Sequence, residues 1–138
     1  MTVDLALPAH PTLDQIRRLE GEIRKLPERE CPITHHWADG VYGREMFIPA
    51  GTVLTGKMHR FATLNVLLEG EITVSTPHGM QRLTAPAIFT GTPGDKKVGY
   101  AHTDTRWLNV HPTKLKDVAA IESKFIEPEP PVLLENQS

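Results

Sequence analysis

Residues 49–76, PAGTVLTGKMHRFATLNVLLEGEITVST, decide the fold. Leu64-Asn65-Val66-Leu67-Leu68 is a dense apolar run closed by Glu69-Gly70. Ile72 to Thr76 then alternates Ile, Thr, Val, Ser and Thr, which puts the apolar side chains on one side of an extended chain. Thr52 to His59 is a weaker run, interrupted at Gly56. Thr76-Pro77-His78-Gly79 has the composition of a hairpin turn. The stretch therefore reads as short strands joined by tight turns.

The same rhythm extends outward. Tyr42 to Ile48, Gln81 to Thr84, Ala87 to Thr90, Lys97 to Ala101 and Thr105 to Val110 are further short runs between turn signals. From Ile33 to His111 this gives eight or nine strands with almost no helix among them, the pattern of a sandwich or barrel. The flanks differ. Thr12 with Asp14 opens a stretch, residues 12–26, in which Leu13, Ile16, Leu19, Ile23 and Leu26 recur at three and four until Pro27 stops it. This amphipathic helix is expected to pack on its own domain, with a second subunit as the alternative. Residues 114–124, with Leu115, Val118, Ala119 and Ile121, read as a short closing helix before an extended Pro-rich tail. The chain divides into a helical extension (1–30), a β-barrel (31–112) and a helix with tail (113–138).

Composition narrows the function classes. Fifteen basic against seventeen acidic residues, dispersed among one another, argue against a nucleic-acid groove or a polybasic membrane anchor. No apolar run is long enough to span a bilayer. Asp4 stands where a secretory signal would carry Lys or Arg, and the expectation is a cytoplasmic protein. A single cysteine, Cys31, excludes an internal disulfide and a multi-Cys zinc site. Three serines leave little material for a serine hydrolase. Walker, GxGxxG, CxxC and HExxH motifs are absent.

Pro49-Ala50-Gly51, His59 and Leu64 to Glu71 together resemble the first conserved motif of the cupins: Gly, five residues, His-x-His, three or four residues, Glu, six residues, Gly. Ala85-Pro86 with Thr92-Pro93-Gly94-Asp95-Lys96-Lys97 resembles the second motif, in which Pro-Gly precedes a His. The resemblance covers residues 40–111 and implies an all-β cupin double-stranded β-helix (a jelly-roll barrel), here with a helix at each end. Residues 35–59 and 85–111 are also similar to small cupin-like proteins of phages and bacteria, a likeness to which no activity attaches. Because cupins commonly pair, it implies a homodimer.

The resemblance also implies where a metal would sit: three His and one Glu converge on the ion in metal-binding cupins. Here the first His falls on Lys57, the second on His59, the Glu on Thr63 and the last His on Lys97. An ammonium has no lone pair to give and repels a cation. The expectation is thus no metal cofactor. The alternative is a rearranged site for zinc, iron, nickel or manganese built on His59, His111 and His36 (or His35), which would make the chain a metal-dependent enzyme.

In the cupin register Lys57 and His59 point into the barrel, Thr63 and Asn65 follow on the next strand, and Lys97 faces them from the opposite sheet. Such a set binds an anion: a phosphate, a nucleotide or a carboxylate. His59 is the first candidate for acid/base work and Lys57 the second. A register slip of one residue would turn both lysines outward. Arg44 and Glu45 are adjacent in a strand, so one of them faces inward, and the sequence leaves both choices open. Trp37, Phe61, Tyr100 and Trp107 are core residues by default, or a stacking wall for a ring. His10, His78 and His102 fall in tail or turn positions, where solvent is expected. A third reading keeps the barrel only as a scaffold for protein contacts.

Overall fold

A computed structural model of the chain describes residues 12–25, 29–76, 79–94 and 96–127. Its elements in order are α1 (Leu13–Ile23), β1 (Ile33–Ala38), β2 (Val41–Ile48), β3 (Val53–Thr55), β4 (Thr63–Glu69), β5 (Glu71–Thr76), β6 (Gly79–Thr84), β7 (Ala87–Gly91), β8 (Val98–Ala101), β9 (Thr105–Pro112) and α2 (Val118–Phe125). The strands form two antiparallel sheets, β1-β2-β9-β4-β7 and β3-β8-β5-β6. The Pro-rich tail lies outside the described residues, as do Pro27, His10 and His78.

The turn at Glu69-Gly70 joins the two sheets, β4 lying in one and β5 in the other. Gly70 has φ +96°, and a β-carbon there would stand 2.3 Å from the Asp104 carbonyl oxygen. Only glycine fits that approach. The β5–β6 hairpin closes where the composition placed it, with Thr76 paired to Gly79.

The register of the five-stranded sheet arranges its inner face in rows. Tyr42, His111 and Thr63 share one row, and Arg44, Asn109 and Asn65 the next, with Phe89 beyond Asn65. Met46, Trp107 and Leu67 make the row below. The core is the apolar end: Ile48, Leu67, Ile72, Val74 and Ala101 form one buried cluster, with Met46, Leu54 and Trp107 packed on it. Polarity thus rises from the core toward the end that carries His111.

Helix α2 caps that polar end. Its Ile121 and Phe125 cluster with Tyr42, and Phe125 also meets Phe61 edge-on. The helix starts at Val118, later than its apolar letters suggested, because Asp117 is the N-cap and accepts a hydrogen bond from the Ala120 amide. Helix α1 begins as expected, with Thr12 and Gln15 forming a reciprocal capping box. It lies against β3, an edge strand, and buries Ile16. Glu20, on the same face, bridges to Lys96 Nζ at 3.2 Å and accepts from the Thr55 hydroxyl. The apolar stripe therefore packs on its own chain.

Two expectations change. The strand read over Thr52–His59 stops at Thr55, where Gly56 donates to the Lys97 carbonyl and the chain turns irregular. His102 is half-buried rather than solvated, with Nε2 2.7 Å from the Thr73 hydroxyl.

Candidate functional site

Between the sheets, at the polar end and beneath α2, lies a cavity of about 200 Å³. The β2 residues Tyr42, Arg44, Met46 and Ile48 line it, so Arg44 is the inward member of the pair and Glu45 the outward one. Glu45 bonds His36 and Arg106 on the outer face. Parity decides this: Arg44 shares its side of the strand with Tyr42, Met46 and Ile48, the more apolar set. That alternation was present in the sequence.

Arg44 has no hydrogen-bond or ion-pair partner among the described residues, and Glu122 of α2 is the one carboxylate among those lining the cavity. Beside Arg44, Asn109 and Asn65 are both buried and form an amide pair, Asn109 Nδ2 donating to Asn65 Oδ1. Asn65 Nδ2 in turn donates to the Thr63 carbonyl at 3.3 Å. Lys97 enters from the facing sheet, its Nζ buried and 5.4 Å from the Phe89 ring centroid. Gly91 makes room for this group. A β-carbon there would stand 3.1 Å from Asn65 Nδ2 and 3.7 Å from Lys97 Cε.

His59 and His111 stack at the upper end with ring centroids 5.7 Å apart. His59 is held by a single β-bridge to Ile126, which ties it to the end of α2. Burial first, and then the neighbouring His111, Arg44 and Lys97, lower its pKa to about 4. Burial and Arg44 lower that of His111 as well. Both rings are therefore neutral at physiological pH, each with a lone pair to offer. His59 Nδ1 is buried without a hydrogen-bond partner among the described residues.

Of the residues expected at the site, His59, Thr63, Asn65 and Lys97 line this one cavity, and Lys57 lines it from an exposed position at the rim. His111 joins His59, but His36 does not. It points to the other face of the sheet, 2.8 Å from Glu45, so His59, His111 and His36 share no centre. His35 faces the opposite way from His36, with Nδ1 2.6 Å from the Tyr42 hydroxyl. Trp107 lines the cavity, while Trp37 and Phe61 are exposed. Asn109 was not anticipated: its strand carries Leu108 and Val110 on the other face, and apolar parity there points the wrong way.

The residues do not fit a metal ion. Among the described residues no group of three His, Cys, Asp or Glu side chains is placed to hold one. The field that disfavours a proton on His59 also disfavours a metal cation there.

No protein-family model matches the sequence, and no curated protein is significantly similar to it. Solved structures are. The ectoine synthase of P. lautus aligns over 75% of this chain and 79% of its own at 15% identity, with a TM-score of 0.56. The plu4264 protein of Photorhabdus luminescens aligns over 62% and 77% at 10% identity and a TM-score of 0.52. A cupin superfamily protein of Desulfitobacterium hafniense aligns over 66% and 86% at 13% identity, with a TM-score of 0.48. At such identities the likeness is one of fold. The two antiparallel sheets, with the alignments to the P. lautus and Photorhabdus structures, give the chain a fold of the cupin type.

Proposed function

We propose that this protein binds a small organic anion inside the barrel, with Arg44 as its principal contact. Arg44 carries the reading. A half-buried guanidinium between two sheets, with no carboxylate among the described residues against it, has its fork of donors open to a ligand. Lys97 adds a second positive charge, and Asn65, Asn109 and Thr63 supply neutral polar groups. A ligand carboxylate or phosphate matches the planar fork of Arg44. Lys57 at the rim adds to the field that draws an anion in. His59, neutral and lone-paired, is the group placed to accept a hydrogen bond from the bound molecule.

The test is a melting curve with and without a panel of organic anions. A ligand at a hundred times its Kd adds about 2.7 kcal/mol of stability. Arg44→Met is expected to abolish that shift. A shift of equal size in Arg44→Met would overturn the proposal.

The outer face of the five-stranded sheet supports a homodimer as a second part of this reading. Leu64, Leu68 and Ile88 are exposed there, beside Val66, Leu108 and Val110. A solvated sheet face would carry polar residues at such positions. On the rim, Arg106 bonds both Glu45 and Glu69 and offsets part of their charge.

A further inference from the structure

We propose that the ligand is a monocarboxylate with a compact apolar body, its carboxylate on the Arg44 row and its body against the row below. This rests on the anion reading above and narrows it. The register sets the two ends. Arg44, Asn109 and Asn65 lie side by side on three neighbouring strands, and Lys97 reaches the far end of the same row beside Phe89. One residue pair deeper, the cavity wall is Met46 and Trp107, faced by Leu54, Ile72 and Val74. The change from polar to apolar is complete within one step of the strand, about 7 Å along the chain direction.

Each primary amide has two N–H groups, and one of each is already used within the row. The second N–H of Asn109 and of Asn65, with the fork of Arg44, makes a donor set for two coplanar oxygens. Beyond those oxygens the apolar row offers a hydroxyl or a ring nitrogen little besides the Trp107 indole N–H. A sugar phosphate would bury such groups there unpaired, at a cost that an alkyl or aryl body avoids. Size points to a compact body: about 200 Å³ is small beside the roughly 300–1,000 Å³ of ordinary ligand pockets.

The experiment measures the affinity of the full chain for acetate, butanoate, hexanoate, benzoate, inorganic phosphate and ribose 5-phosphate by calorimetry, with melting curves alongside. Each methylene buried on the apolar row is expected to tighten binding about fourfold, until the cavity is full, and both phosphates should bind at least tenfold more weakly than the best carboxylate. Gly99 stands on the apolar floor, where an added β-carbon would meet Ile72 Cδ1, Leu54 Cδ2 and Val74 Cγ1 at 3.4–3.5 Å. Gly99→Val should therefore flatten the chain-length series while leaving acetate unchanged. Gly99→Ala is the milder variant if the valine fails to fold, and the series on the unmodified protein stands without either. Tighter binding of phosphate or ribose 5-phosphate, lost in Arg44→Met, would overturn the monocarboxylate and leave the anion site standing. Absence of any Arg44-dependent binding would overturn both.

Discussion

A guanidinium between two sheets and two imidazoles that refuse protons are consequences of one arrangement. Arg44 sits where its charge reaches both His59 and His111, and burial works in the same direction. The sign of the pH dependence follows. In the unfolded chain His59 titrates near its ordinary 6.5, and in the folded chain near 4. Between those values the unfolded state takes up the proton and the folded state does not. This part of the stability is fully present above pH 6.5 and is lost progressively as the pH falls toward 4. Denaturant unfolding across that window should show the decline, and His59→Gln should flatten it. A wild-type slope identical to that of His59→Gln would mean His59 is freely hydrated. At this scale the sequence was legible wherever strand parity was clear. Lys97, Asn65 and Thr63 line the cavity, as their places in the cupin register imply. Lys57 only reaches the rim, because the strand that would have turned it inward ends at Thr55.

Helix α1 shows what letters at spacings of three and four leave unsaid. Of the stripe Leu13, Ile16, Leu19, Ile23 only Ile16 is buried, and Glu20, beside it, reads as a surface residue until Lys96 is found opposite it. The side chain of Lys96 is 3% exposed and that of Glu20 17%. Their pairing ties α1 to the segment that carries Lys97 into the cavity. Removing one partner of such a pair costs about 3 kcal/mol, most of it from the charge left behind. Glu20→Leu should therefore lower the denaturation midpoint clearly. Lys96→Met on that background should recover much of the loss, a double-mutant cycle in which strict additivity would deny the coupling. The long-range partner was invisible because Lys96 and Lys97 are adjacent letters with opposite fates: one faces the helix and the other the cavity. The closing helix was legible in kind but not in place, since Asp117 starts it four residues after Thr113 and its apolar side chains then meet Tyr42.

For the molecule as a whole, the apolar accounts of the two sheet faces differ. The inner face buries its apolar residues within the chain, and α1 buries Ile16 there while Leu13 stays exposed. What remains uncovered is the outer face across β9, β4 and β7, where Leu108, Val66 and Ile88 stand in one register row and Val110 and Leu64 in the next. Ile88 is 68% exposed at its centre. A two-fold axis through this face would place the same residues against themselves, the usual geometry of a homodimer. Light scattering after gel filtration should give twice the chain mass. Ile88→Glu should give a monomer, because a C2 contact brings the two introduced carboxylates together and neither can be hydrated between apolar strands. The anion-dependent melting shift should survive that change, since Arg44 and Ile88 lie on opposite faces of the sheet. A wild-type chain that stays monomeric at about 100 μM, well above the Kd range of a specific interface of standard size, would show that this face is not the one on which two copies meet.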